Sequence, residues 1–233
     1  MIHIDFNKKI FWVIAIFVVL FNTLLTYEMY KKEKKNIEVR ALTKAQNLKN
    51  YFISMRTIYH HQFLDSNLEI NESTVKLLPA YASTIISDKF AELSHDGTTI
   101  RSVTDRVRNV KNTADSFELE AIEYFKKNPH KTMLMKKIKQ NNRDFFNFTS
   151  PLIIEPYCLM CHGKKEETLP SIQKNYDTAY DYKVGDIRGV VSIKIPSEKL
   201  AYESMHSFYN IAIFSLSAHF SCLSSSTMSL ENS

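Results

Sequence analysis

The sequence predicts an α+β domain, in which helices pack against an antiparallel β-sheet. Residues 28–63 contain neither glycine nor proline and repeat apolar residues at helical spacing. Short runs rich in β-branched and aromatic residues follow residue 97, and turn-type residues separate two of them. With 44% hydrophobic residues and four glycines, the composition is that of a globular protein and argues against a fibrous or repeat protein.

The first segment, 1–27, is predicted to be a transmembrane anchor in contact with membrane lipid. Residues 10–25 (IFWVIAIFVVLFNTLL) are almost wholly apolar, and with the amphipathic margin 26–30 they reach the ~20 residues that a membrane-crossing helix needs. A cleaved signal peptide would need small residues at its cleavage site, and TYEMY at 26–30 contains no Ala-x-Ala pattern. We therefore expect this segment to remain in the mature protein.

The long helix 28–63 carries a heptad seam of apolar residues. Such a seam packs either on the core of its own domain or on the same helix of a second copy, and the second alternative predicts a homodimer. The seam consists of Ala41, Ala45, Leu48, Phe52, Met55 and Tyr59. A second helix is predicted over 74–93, after the polar residues 71–73 and with an early interruption at Pro79.

Four strands and one further helix are predicted beyond residue 97. Residues 139–142 contain Gln-Asn-Asn, which is typical of the turn of a hairpin. Consecutive strands joined in this way lie antiparallel. The strands are expected at 98–103, 132–138, 143–149 and 187–195, and the helix at 114–127. Residues 151–162 are expected to form a loop, which begins at Pro151 and Pro156.

A last helix is predicted to begin at Ser197 and to lead out of the domain. Residues 201–223 form the predicted second membrane segment, although its apolar part, 208–223, is short and is diluted by serine. Residues 224–233 form a short polar tail that contains no lysine or arginine. The predicted order is therefore anchor, domain (28–200), second membrane segment and tail.

Residues 158–162 (CLMCH) carry the strongest chemical signal in the chain. Two thiols two residues apart can each add to a vinyl group of one porphyrin, and the histidine after them can bind its iron. The motif predicts one covalently attached haem c, held by Cys158 and Cys161 and ligated by His162. The alternatives are a redox-active cysteine pair and half of a zinc site, but the third cysteine, Cys222, lies far away and zinc needs a second ligand pair.

The cofactor determines the predicted compartment. Covalent haem attachment in bacteria takes place outside the cytoplasmic membrane, so the domain is expected in the periplasm, on the inner membrane. Lysine and arginine counts beside the anchor favour the opposite orientation. We give more weight to the cofactor, because haem attachment is confined to one side of the membrane whereas the charge rule has exceptions. The net charge of +5 is spread along the chain, which predicts no nucleic-acid partner, and the absence of catalytic motifs predicts no enzyme.

The stretch 40–196 resembles the single-haem, PAS-like sensor domains of bacterial membrane receptors. That family is known as an uncharacterised haem-c domain in the extracytoplasmic halves of histidine kinases and diguanylate cyclases. The resemblance implies a PAS-like fold with a long N-terminal helix, flanked by membrane helices. Val110 departs from the family pattern, which has proline there. The matching pieces are LPAY at 78–81, RVRNVKNTAD at 106–115, CLMCH at 158–162 and VGDIRG at 184–189.

The resemblance also implies further site residues. It places the distal side of the haem near the end of the long helix, where Met55, His60 and His61 are all candidates for the sixth iron ligand. We favour His61, because imidazole is a strong nitrogen donor and its position fits the resemblance. Arg108 and Arg188 are expected to bind the haem propionates, since both are covered by the resemblance and guanidinium groups suit carboxylates. The other cationic candidates are Arg106, Lys164 and Lys165.

These features together predict a membrane-anchored haem-c sensor that serves as the input domain for redox or small-gas signals in bacterial signal transduction. The alternatives are a membrane-anchored monohaem cytochrome c that carries electrons to a redox partner, and a haem-free receptor domain. A carrier would not need a second membrane helix. Residues 224–233 are too short for a kinase or cyclase module, so we expect either a cytoplasmic signalling partner or a truncated receptor that lacks its C-terminal output module.

Overall fold

The fold is that of a computed structural model, which describes residues 6–66, 68–71 and 73–231 of the chain. The elements are α1 (Phe6–Asp65), α2 (Pro79–Leu93), β1 (Thr99–Val103), α3 (Ser116–Lys127), β2 (Leu134–Gln140), β3 (Arg143–Ile153), α4 (Leu159–His162), α5 (Pro170–Asn175), β4 (Ile187–Pro196) and α6 (Ser197–Glu231). The predicted α+β class, with a long N-terminal helix and an antiparallel sheet, is confirmed.

The four strands form one sheet in the order β1-β4-β3-β2, and every neighbouring pair is antiparallel. The hairpin between β2 and β3 turns at Asn141 and Asn142, whose φ angles are 50° and 60°. Two successive positive φ angles match the twist of the flanking strands, and asparagine adopts them more readily than most residues. The last strand of the chain, β4, lies between β1 and β3 and is buried along nearly its whole length.

Two prolines have places that differ from the sequence prediction. Pro79 does not interrupt a helix but begins one, because its fixed φ and missing N–H suit the first helical position. Pro151 does not begin the loop before the motif but lies within β3, opposite Val190. Beyond Thr149 the pairing of β3 with β2 has ended, and a strand edge of this kind tolerates proline.

One compact unit of the chain consists of Ala41–Ser197. It contains the whole sheet and the C-terminal part of α1, and thus begins later than the predicted boundary at residue 28. Ala41, Ala45 and Phe52 of the heptad seam are buried within it. These three seam residues therefore pack on the core of their own domain, while Leu48, Met55 and Tyr59 are half-buried.

The second unit contains α1 as far as Arg40 and α6 from Glu198 onward. Arg40 Nη1 donates a hydrogen bond to Ser204 Oγ at 2.9 Å, and the rings of Tyr30 and Phe208 lie 6.1 Å apart. These contacts join α1 and α6 within this unit.

The apolar part of α1 exposes most of its side chains. Among the described residues, α1 is the one helix that is long and apolar enough to cross a membrane, a criterion that a signal sequence also meets. The predicted second membrane segment, 201–223, lies in α6, but most of its side chains after Phe214 are outside the described part. The helix continues through 224–231 of the predicted tail, and 232–233 lie outside the described residues.

Candidate cofactor site

A cavity of about 410 Å³ lies within the sheet domain, a volume in the range of small-molecule and cofactor sites. Its wall is built from parts of the chain that are far apart in sequence, namely the C-terminal end of α1, the start of α2, the segment after β1, the end of β3, the CLMCH motif and the start of β4. All four sequence pieces that carry the family resemblance contribute to it. They do so through Leu78, Pro79, Ala80, Tyr81, Arg106, Arg108, Asn109, Asn112, Cys158, Met160, Cys161, His162 and Arg188.

The CLMCH motif is helical rather than a loop as predicted. A short 3-10 turn, Pro156–Cys158, leads directly into α4. Positions i, i+3 and i+4 share one face of a helix, and these are the positions of Cys158, Cys161 and His162. All three side chains line the cavity.

The backbone after the motif is fixed by contacts that leave no room for a side chain. A Cβ atom at Gly163 would lie 2.7 Å from the carbonyl oxygen of Leu159. The amide groups of Asp181 and Tyr182 donate to the carbonyl oxygens of Gly163 and His162, at 2.9 and 3.1 Å. The motif is therefore held against the segment 179–182.

His162 is arranged as a metal ligand would be. Its Nδ1 lies 2.8 Å from the carbonyl oxygen of Ala179, and because a carbonyl only accepts, Nδ1 carries the proton and Nε2 keeps its lone pair. Burial, followed by the nearby charges of Arg188 and Arg108, lowers the pKa of His162 to about 3. The imidazole is therefore neutral at physiological pH, which is the form that binds a metal.

Arg108 is bonded through Nε and Nη2 to the backbone around the motif. Its Nε donates to the carbonyl oxygen of Thr178 at 2.9 Å. Its Nη2 donates to the carbonyl oxygens of Cys161 and Ala179, at 2.8 and 3.0 Å. The guanidinium group also lies over the ring of Tyr180. Arg108 lines the cavity, and its hydrogen bonds connect the motif to the segment 178–179. The sequence did not predict these bonds.

Arg188 and Arg56 are two half-buried cations of the cavity wall. Burial lowers the pKa of Arg188, and burial together with the charge of Arg188 lowers the pKa of Arg56 to about 10. Arg56 donates to Ser83 Oγ at 2.6 Å. Neither arginine takes part in the ion pairs that the described residues make. Withdrawing a cation from water without a counter-charge is costly, so this pair favours an anionic ligand.

Of the three predicted distal candidates, the structure brings His60 to the cavity. Its Nε2 is buried, and among the described residues it has no hydrogen-bond partner. Its ring packs on that of Tyr157 with the centroids 4.1 Å apart. His61 is exposed and Met55 is half-buried, and neither lines the cavity. Consecutive residues of a helix point ~100° apart, so only one of the two histidines can face this wall.

Arg56 was not predicted as a site residue, although the sequence contains a signal for it. It lies one helical turn before His60, at i and i+4, so a cavity on the His60 face of α1 would also meet Arg56. The family resemblance also covers this end of α1, but there it was used only to choose an iron ligand. Lys164 and Lys165 do not line the cavity and instead pair with Glu167 and Asp177.

The two alternatives to haem receive little support from the geometry. Within the described residues there is no group of three or more His, Cys, Asp or Glu side chains that could hold a metal ion. Burial raises the pKa of the Cys161 thiol, although Arg108 and Arg188 oppose this effect. A thiol with a raised pKa is a poor redox nucleophile.

The fold and the cavity together define an α+β domain with a small-molecule or cofactor site, attached to an apolar N-terminal helix. The chain belongs to the Tll0287-like family, since the family model with that description (Tll0287) matches residues 33–196. The crystal structure of the cyanobacterial haem protein Tll0287 is similar over 66% of this chain and 94% of that chain, with 23% sequence identity and a TM-score of 0.53. At that identity the likeness shows the fold. No match is found among the curated proteins.

Proposed function

We propose that this protein is a membrane-anchored sensor domain that holds one covalently attached haem c in the cavity. The observation that carries the proposal is that Cys158, Cys161 and His162 present one face of a helical turn to a cavity of cofactor size. Membership of a family whose name-giving member Tll0287 is a haem protein supports the same cofactor. The role is in binding and signalling, not in catalysis.

Named residues would hold the haem. Cys158 and Cys161 would hold the porphyrin through their sulfur atoms, and Nε2 of His162 would bind its iron. His60 takes the place that the sequence had suggested for His61, and its Nε2 would be the second iron ligand. When bound, the haem supplies an iron that can change its oxidation state or exchange a ligand for a small gas.

The polar groups of the cavity fit this cofactor. A buried ring nitrogen without a partner costs free energy, and ligation by the iron would satisfy Nε2 of His60. Four arginines and one lysine line the cavity against one glutamate, so the wall is strongly cationic. The two haem propionates would compensate Arg56 and Arg188, which make no ion pair with a carboxylate of the described residues.

Helix α1 supplies a path for the signal. It contains both His60 and the apolar segment, within one continuous run of helix. Loss or exchange of the sixth ligand would change the packing of His60. The change would shift α1 between two conformational states, one with His60 bound to the iron and one with it released. We place the domain in the periplasm with a PAS-like fold, the apolar part of α1 in the lipid of the inner membrane, and the readout in a cytoplasmic signalling partner or output module.

The proposed homodimer would use a different face of α1 from the heptad seam. The seam packs on its own core, whereas Tyr51 and Ile58 are exposed on another face of the same helix. They lie seven residues apart, which is the spacing of a coiled-coil contact. We therefore propose these residues as the centre of a helix pair between two copies.

A second candidate function is an electron-carrying cytochrome. Ile153, Tyr157 and Met160 line the cavity and are also exposed, so an apolar edge of the site faces solvent. A redox partner could approach the haem there. The sensor is favoured by the placement of His60 on the helix that leads to the apolar segment.

The first experiment is a haem stain of the full chain on a denaturing gel, after export with the c-type maturation machinery. The wild type should keep its haem after boiling, the Cys158→Ala, Cys161→Ala double variant should lose it, and Cys222→Ala should behave as wild type. A colourless wild type would refute covalent attachment of the haem. Carbon monoxide added to the ferrous protein then separates the two functions, because a sensor with an exchangeable His60 ligand binds the gas and a carrier with fixed ligands does not.

A further inference from the structure

One backbone carbonyl connects an arginine to the proposed proximal ligand. The oxygen of Ala179 accepts a hydrogen bond from His162 Nδ1 at 2.8 Å and another from Arg108 Nη2 at 3.0 Å. A carbonyl oxygen has two lone pairs, so both are used. The side chain at 108 therefore acts on the same acceptor that holds the imidazole.

The position of this carbonyl is built into the fold. Ala179 has a φ of 60°, a conformation that residues other than glycine adopt rarely and only where their surroundings impose it. It is buried. Its neighbours are fixed on both sides, since the Thr178 hydroxyl donates to the carbonyl oxygen of Val107 at 2.8 Å and the Tyr180 hydroxyl donates to that of Tyr176 at 2.8 Å.

We propose that Arg108 is a positioning residue that sets the donor strength of His162 through the Ala179 carbonyl, and thereby the reduction potential of the bound iron. This inference rests on the proposed haem. A strong acceptor at Nδ1 makes a ligating imidazole more electron-rich, which stabilises the oxidised iron. The cationic donor at 108 draws electron density from the same acceptor, so it weakens that effect and keeps the potential high.

Arg106 offers a matched comparison, because it is a second arginine of the same cavity wall. Its Nη2 donates to the carbonyl oxygen of Tyr180 at 2.5 Å, and its guanidinium group stacks on Tyr182. No hydrogen bond of Arg106 involves the Ala179 carbonyl. The two arginines therefore separate the influence of positive charge in the cavity from the influence of the shared carbonyl.

The experiment measures the midpoint potential of the haem-loaded full chain for lysine and glutamine variants at both positions. Lysine keeps the charge but cannot reproduce the planar fork that bonds three carbonyls. We expect Arg108→Lys to lower the potential and Arg108→Gln to lower it further, whereas Arg106→Lys stays at the wild-type value. The iron–histidine stretching frequency of the ferrous protein, in a His60→Ala background, should rise in the Arg108 variants only.

Other results overturn the inference. Equal shifts from the matched Arg106 and Arg108 variants would mean that only charge matters. A loss of haem content from Arg108→Lys, with an unchanged potential and stretching frequency in the loaded fraction, would mean that Arg108 only folds the loop. If Arg108→Gln does not yield folded protein, the midpoint potential of Arg108→Lys alone tests the inference. A haem-positive wild type with unshifted variants refutes this inference alone, whereas a haem-negative wild type refutes the proposed function and this inference with it.

Discussion

At the residue scale, the most informative atom is Nε2 of His60. Most buried polar atoms in folded proteins have a hydrogen-bond partner, so one without a partner calls for an explanation. This nitrogen lies in the wall of a cavity that also contains the CLMCH motif. Burial is the first cause of the lowered pKa of His60, followed by the charges of His61 and Arg56, and a neutral imidazole has the lone pair that a metal needs.

The adjacent histidines provide a matched pair of substitutions. His60→Ala should convert the visible spectrum of the haem protein from six-coordinate, low-spin to five-coordinate, high-spin, because the distal ligand is removed. His61→Ala should leave the spectrum unchanged, since His61 is exposed and outside the cavity. Absorption spectra of both ferric variants test this, and the reverse pattern would restore His61 as the ligand.

Arg56 gives a prediction with opposite signs in the two forms of the protein. Without haem, Arg56→Met removes a half-buried cation that lacks a carboxylate partner, so it should raise the free energy of unfolding, by about 1 kcal/mol. With haem attached, the same substitution removes the partner of a propionate and should lower the free energy of unfolding. Chemical denaturation of the wild-type and cysteine-free backgrounds measures both effects. Equal signs in the two backgrounds would argue against an anionic cofactor beside Arg56.

At the element scale, α1 has a face buried in the core and a face exposed to solvent, and two neighbouring residues lie on the two faces. Phe52 is 2% exposed and Tyr51 is 68% exposed. Phe52→Ala should lower the free energy of unfolding by roughly 3–5 kcal/mol, because it leaves a cavity in the core. Tyr51→Ala should change it by no more than about 0.5 kcal/mol, while it weakens the proposed homodimer. Denaturation and sedimentation velocity of the two variants separate the two surfaces.

The link between α1 and the turn before β1 predicts a dependence on pH. Burial alone would raise the pKa of Asp96, but hydrogen bonds from Lys44, Ser94 and Thr98 outweigh burial and lower it. A carboxyl whose pKa is lower in the folded state stabilises the protein above its unfolded pKa, and this contribution is lost as the pH falls towards the folded value. Wild type should exceed Asp96→Asn in stability at pH 7, and the difference should shrink with acidification. A difference that is constant with pH would contradict this account.

The sequence predicted the helices and strands more completely than it predicted the residues of the candidate site. The β-branched runs and the two asparagines at 141 and 142 predicted the strands and their hairpin, because these signals are local. The cysteines and His162 were predicted because their chemistry depends on spacing along the chain. His60 and Arg56 depend instead on which face of α1 meets the cavity. The role of Arg108 depends on carbonyl groups that lie far along the chain from it, which no local pattern records.

At the scale of the whole molecule, compartment and cofactor are linked. Haem should be attached when the chain is exported with the maturation machinery and absent when the same chain, lacking residues 1–27, is made in the cytoplasm. A haem stain of the two preparations tests this, with immunodetection as the control for protein amount. Covalent haem in the cytoplasmic preparation would remove the argument for a periplasmic domain.

The central position of β4 has a consequence for the order in which the protein is completed. Strands β1 and β3 are bridged only by β4, which follows the CLMCH motif in the chain. If the chain is exported from its N-terminus, as the proposed function requires, both cysteines would emerge while the sheet still lacks its middle strand. The proposed haem would then be attached before Ile187–Pro196 completes the sheet.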